Sequence, residues 1–176
     1  MIEVYRSGAL AGGLLPNDTD REAQARTRAS DRYNKIWLRS YARTLWNALA
    51  RRDVRLRTLP SEQHYALARA GIPELRAVPL ARIVGSENRS ADFDITFAPL
   101  SDHTQERWIG IALAWELGTE LPAVELLQVG ADYYVRDGHH RISVARAYGL
   151  HEIDAHVLVL QPAAPAGALD TCAVAC

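Results

Sequence analysis

The stretch YYVRDGHHRISVARAYG, residues 133–149, constrains the fold more than any other part of the chain. It reads as a strand, a tight turn at Asp137-Gly138, and a helix that begins at His139 and stops at Gly149. Its neighbours extend the pattern. PAVELLQVG and DYYVRDG are two strands joined by the hairpin signal GAD. EIDAHVLVL is a closing strand in which Ile153, Ala155, Val157 and Val159 alternate. Upstream, AVPLARIVGS is read as one strand and its exit, and ENRSADFDITFAPL as a polar loop anchored by Phe93 and Phe97. ERWIGIALAWELG is a helix capped by Ser101 or Asp102 and stopped by Gly118, with Trp108, Ile111, Ala112 and Trp115 marking one face. The expected fold class is α/β (α+β): a small mixed sheet with packed helices, preceded by a helical N-terminal extension.

That extension has its own texture. From Asp18 or Asp20 the chain turns helical, as one long helix or two, to about Arg51 or Arg52, and Tyr33, Trp37, Tyr41 and Leu45 recur every four residues as a buried stripe. VRLRTLP is a short extended piece, and SEQHYALARAG a helix with Ser61 as N-cap and Gly71 beyond its end. Residues 1–60 hold 12 Lys+Arg against 6 Asp+Glu, and residues 61–176 hold 8 against 15. The chain is therefore divided into a basic helical extension (1–75), an acidic α/β domain (76–161) and a flexible Pro/Ala-rich tail (162–176). Eleven Lys/Arg in residues 21–57 could neutralise nucleic-acid phosphates. They could equally be the solvated face of an amphipathic helix, or dock on the acidic domain of the same or a second chain, as in a homodimer.

A length of 176 residues suffices for one domain with a real core, and 48% hydrophobic with 23% charged residues is the ordinary globular range. The two cysteines, Cys172 and Cys176, lie in the last five residues, which argues against a disulfide-stapled secreted fold. Two such thiols could pair, bind metal, crosslink chains or simply stand exposed on a tail. With no membrane-length apolar run and no signal-peptide pattern, a cytoplasmic location is expected and no membrane partner.

The turn invites a ligand. Gly138 permits a backbone conformation that other residues resist, and the following helix exposes N–H groups carrying about half a positive charge. His139 and His140 can donate to phosphate oxygens, and Arg141 offers a planar charged fork. Crowding three such donors where the helix dipole is already positive is unfavourable without an anion. The competing readings are that Arg141 pairs with Asp137 and that the histidines cap or pack. Metal ligation by Asp137 and the histidines is disfavoured, because adjacent helical residues point about 100° apart.

The sequence LPAVELLQVGADYYVRDGHHRISVARAYGLHEIDAHVLV resembles the core of the ParB/sulfiredoxin superfamily, where a strand, a hairpin, a Gly-containing turn ending in Arg, a helix and a final strand follow in this order. VPLARIVGSENR is similar to the family's first strand and its arginine-bearing loop, and TQERWIGIALAWELGTELPAVEL to the next helix and strand. The resemblance covers about residues 77–160. It implies that the turn cradles nucleotide phosphates, for CTP hydrolysis in partition proteins, for ATP-driven thiol repair in sulfiredoxins, or for phosphoryl transfer in a free-serine kinase branch whose turn is similar to DGHHR.

Departures separate these branches. Sulfiredoxins carry a cysteine where His139 stands, which argues against thiol repair. Partition proteins follow this domain with a helix-turn-helix, for which the residues after Leu160 leave no room. The kinase branch fits best and implies a carboxylate base for the substrate hydroxyl. Glu87 occupies the matching place, Asp94 is a second candidate for the base, and Asp137 is counted with Glu87 as catalytic. The expected phosphate-binding set is Asn88, Arg89, Gly138, His139, His140 and Arg141, with no resident protein metal site. The implied cofactors are a nucleotide (ATP, ADP or CTP) with Mg²⁺, and the partner a small hydroxyl-bearing acceptor. The alternative function is a non-enzymatic DNA-binding adaptor that uses the basic N-terminal helices.

Overall fold

A computed structural model describes residues 18–50, 56–59, 72–88 and 92–160. Helix α1 runs Asp18–Leu49, and strand β1 is Arg57–Thr58. Strand β2 (Glu74–Pro79) turns through a single 3₁₀ turn, Leu80–Arg82, into β3 (Ile83–Ser86). Helix α2 is Gln105–Glu116, β4 Val124–Val129, β5 Asp132–Asp137, α3 His139–Ala147 and β6 Glu152–Leu160. The expected helix SEQHYALARAG, the tail 162–176 and both cysteines lie outside the described residues.

The strands form one mixed six-stranded sheet, ordered β1-β3-β5-β4-β6-β2, so the α+β class holds. β1, β3 and β5 run parallel, β5 and β4 form the expected hairpin around Gly130, and β6 lies parallel to β4 and antiparallel to β2. AVPLARIVGS is thus not one strand. The corner at Leu80, whose N–H donates to His151's carbonyl (2.9 Å), sends β2 and β3 to opposite sides of the sheet. Arg57 and Thr58, from the basic extension, form the edge strand beside Gly85 and Ser86. The approach is so close that a Cβ at Gly85 would collide with Arg57's carbonyl oxygen and Tyr134's ring.

Helix α3 sits between two cores. Ile142 and Ala145 pack on Val124, Leu126, Val135, Ala155 and Val157 of the sheet. Val144 faces the other way, joining Ala29 and Tyr33 of α1 with Trp108, Ile109 and Ala112 of α2. Six of its nine residues are buried, as expected of a helix covered on both sides. A third cluster, Leu59, Leu127, Tyr134 and Leu158, lies on the opposite sheet face. It accounts for a departure from the expected alternation in β6: Leu158 is buried and Val159 is 48% exposed, because β6 is an interior strand with apolar contacts on both faces.

The stripe on α1 is buried in its first half only. Ala25, Ala29 and Tyr33 are buried, Trp37 is half-buried, and Tyr41 and Leu45 are 51% and 56% exposed. Length explains the difference. At 1.5 Å per residue the 32-residue α1 is about 48 Å long, whereas the 12-residue α2 beneath it spans about 18 Å. On α2, likewise, Ile109 joins Trp108 and Ala112 inside while Trp115 is partly exposed, since α2 is covered by α1 and α3 together.

Candidate functional site

The parallel strands β3 and β5 end side by side, and α3 begins where β5 stops. Chain ends of parallel strands next to a helix start are where α/β proteins place ligands, because no ladder hydrogen bonds or side-chain layers fill that edge. Gly138 makes the handover possible. Its φ of 100° and ψ of 20° lie in the left-handed region, and a Cβ there would sit 2.5 Å from Val124 Cγ1. Ile142 N–H donates to Gly138's carbonyl (3.0 Å), closing the first turn of α3, and no side chain caps this helix start. A small cleft opens there, with Arg107 and Ile111 of α2 on one wall and residues 137–141 on the other.

The imidazoles, read from the sequence either as phosphate donors or as capping and packing groups, are largely enclosed. His139 and His140 are only 4% and 7% exposed. Ser86 Oγ lies 2.7 Å from His139 Nε2, and Ser86 Oγ also accepts the Asn88 N–H at 3.2 Å. Phe93 lies stacked near the His139 ring at 5.8 Å and edge-on to His140 at 5.2 Å. An imidazole is amphipathic, so a pair of them can close the floor of a turn while their outer edges still line a cleft.

Arg141 is also anchored. Its guanidinium donates to the carbonyls of Pro122 (2.6 Å) and Ala123 (2.7 Å), and to Asp137 Oδ2 (2.6 Å). The fork expected to grip phosphate therefore ties the turn to the start of β4, leaving a rim of positive charge rather than an open clamp. Asp137 stays largely exposed, with Oδ2 held by Arg141 and Oδ1 without a protein partner among the described residues.

The other expected residues fall elsewhere. Glu87 pairs with Arg136 (3.1 Å to Nε), and its N–H donates to Val135's carbonyl. Arg136 shares a sheet face with Tyr134, away from α3, so Glu87 does not meet Asp137 in the cleft. Asn88 is exposed beside Ser86, and Arg89 lies outside the described residues. Asp94 is no base in waiting. It is 1% exposed and accepts from Ser40 Oγ, Thr96 N, Thr96 Oγ1 and Ala98 N, with Arg43 at 3.3 Å. Among the described residues no three acidic, His or Cys side chains cluster as a metal site.

Sequence reasoning missed Arg107. It lies one turn before Ile111 on α2 and makes no ion pair among the described residues. The only sequence signal was the i, i+4 spacing of Arg107 and Ile111, which any amphipathic helix shows.

The basic extension folds back on its own chain. Arg26 pairs with Glu106 (3.1 Å), Arg28 with Glu116 (2.5 Å) and Arg43 with Asp94 (3.3 Å). Arg32 donates to Ala147's carbonyl (3.0 Å) and lies 4.2 Å over the Tyr148 ring. The opposite charges of the two halves thus meet within one molecule. No described helix is long and apolar enough to cross a membrane.

No protein-family model matches the chain, and no curated protein matches it. Among solved structures it is similar to the crystal structure of sulfiredoxin from Arabidopsis thaliana, at 19% identity over 48% of this chain and 84% of that one, with a TM-score of 0.34. A similarity of that degree says nothing about chemistry.

Proposed function

We propose that the cleft at the start of α3 binds the polyphosphate of a nucleotide, and that phosphoryl transfer to a small hydroxyl-bearing acceptor, or slow hydrolysis, is the chemistry it serves. One observation carries this reading. The ends of two parallel strands, a left-handed glycine and a helix start with no side-chain cap converge beside two guanidinium groups, Arg107 and Arg141, which face a single carboxylate, Asp137. Helix dipole and charge excess both favour an anion there.

In this reading Arg107, free of an ion pair among the described residues, contacts phosphate directly. Arg141 adds charge at the rim while holding the turn to Pro122 and Ala123. His139 and His140 hold the floor of the cleft. Mg²⁺ would accompany the nucleotide and supply charge neutralisation on its phosphates, which leaves Asp137, the carboxylate lining the cleft among the described residues, for the proton.

Asp137 also suits the proton better than Glu87 does, because it lines the cleft while Glu87 lies on the far sheet face with Arg136. The acceptor hydroxyl oxygen attacks the terminal phosphorus, the bond to the bridging oxygen breaks, and the hydroxyl proton passes to Asp137 Oδ1. Incubation with ATP or CTP, Mg²⁺ and a panel of small alcohols, serine included, tests the chemistry through the products formed. Nucleoside diphosphate with a phosphorylated alcohol supports transfer, diphosphate with inorganic phosphate supports hydrolysis, and unchanged nucleotide across the panel contradicts both.

A further inference from the structure

A second cationic groove, of about 300 Å³, lies between α1, α3 and the 92–98 loop. Its charged lining is Arg39 and Arg43 from α1 and Arg146 from α3; Ile36 and Phe97 supply apolar walls. The phenyl layer of Phe93 and Phe97, with ring centres 6.5 Å apart, lies between this groove and the histidines of the turn.

The charges here are poorly balanced. Among the described residues Asp94 is the carboxylate that pairs with this lining, through Arg43, and its oxygens already accept from Ser40, Thr96 and Ala98. Arg43 reaches it at 3.3 Å and donates to Thr96 Oγ1 at 2.8 Å. Arg146 is held by neutral groups instead. It donates to the carbonyls of Leu80 (2.7 Å) and Ile83 (2.8 Å), and its guanidinium carbon lies 4.7 Å from the Phe97 ring centre. Its Nε–H has no hydrogen-bond partner among the described residues although the atom is buried. Burial pushes the Arg146 guanidinium below its ordinary pKa, and the charge of Asp94 acts the other way without cancelling it. Arg39 has no ion-pair partner among the described residues. Ser143, whose oxygen accepts Trp108 Nε1–H at 2.9 Å, has its own O–H to donate.

We propose that this groove is a second anion site, distinct from the cleft at the start of α3, which takes the phosphate dianion of a small phosphomonoester between Arg39, Arg43 and Arg146. Two positive charges in excess of Asp94 match a dianion, planar guanidinium forks match phosphate oxygens, and Ile36 and Phe97 suit the apolar body of an ester.

Phenyl phosphate and inorganic phosphate, titrated into the full chain and followed by amide NMR shifts at constant ionic strength, test the site. Saturable shifts at Thr96, Ala98 and Ser143 are expected, stronger for the ester. Arg39→Gln, a change at an exposed residue, weakens the ester by about fivefold or more through loss of one charge-assisted contact. Arg146→Lys, which keeps the charge but not the fork, also weakens it. Shifts confined to residues 138–141, equal shifts from chloride, or unchanged affinity in Arg39→Gln each overturn the proposal. Shifts confined to residues 138–141 would favour phosphate binding at the turn while overturning this second site; the other two outcomes leave binding at the turn, read from the 138–141 amides, untouched.

Discussion

Ser86 Oγ and His139 Nε2 lie 2.7 Å apart, both buried, so the last residue of β3 is pinned to the first residue of α3. That bond fixes the edge at which the cleft opens. Ser86→Ala leaves the imidazole without this partner, and should cost about 1–3 kcal/mol in denaturant unfolding. A variant as stable as the parent would mean that the contact does not define the edge.

Gly138 permits one backbone and little else. Gly138→Ala must hold a positive φ and place a methyl against Val124, so a loss of about 2–4 kcal/mol is expected, read as a lower denaturation midpoint. Gly138→Asn tolerates the left-handed region better but carries the same clash, and should rescue little.

Asp94 is the knot between α1 and the 92–98 loop. Asp94→Ala removes an acceptor shared by Ser40, Thr96, Ala98 and Arg43, and should cost about 3–5 kcal/mol. Hydrogen exchange should show the middle of α1 opening first. Protection unchanged around Ser40 would contradict the assignment.

Tyr148 gives a pH signature. Burial pushes its phenol up to about 12, helped by its hydrogen bond to Glu116 at 2.7 Å and the charge of that carboxylate, while Arg32 acts in the opposite direction. The folded state therefore binds this proton more tightly than the unfolded chain, whose tyrosine titrates near 10. The stabilisation is fully present below about pH 10 and is lost as pH rises toward 12. Tyr148→Phe should be less sensitive to alkaline unfolding across that window, and ultraviolet titration should show one tyrosinate fewer among those that ionise last.

Much of the fold was legible because local signals agreed. Asp137-Gly138 with a period change marked the strand, turn and helix, and Gly130, Gly138 and Gly149 all carry positive φ where the chain punctuates itself. The corner inside AVPLARIVGS is signalled only by Pro79, the last residue of β2, and a proline is also tolerated at a strand edge, so the stretch reads as one strand. Periodicity on α1 marked which face would be apolar but not how far the partner helix extends, which is why Tyr41 and Leu45 stand exposed. At the candidate site, the position of the turn was readable and the orientation of its side chains was not. The histidines sit under Phe93, a contact across 46 and 47 residues of sequence, and Arg107 looks like any solvated helix arginine.

The most direct test is calorimetry of the full chain with ATP, ADP and CTP in Mg²⁺, set beside the Arg107→Ala variant. The account predicts saturable heat with at least one triphosphate, tighter than with the corresponding monophosphate, and affinity weakened by about tenfold in Arg107→Ala through loss of a charge-assisted phosphate contact. Absence of heat with every nucleotide, or binding that Arg107→Ala leaves untouched, would contradict it.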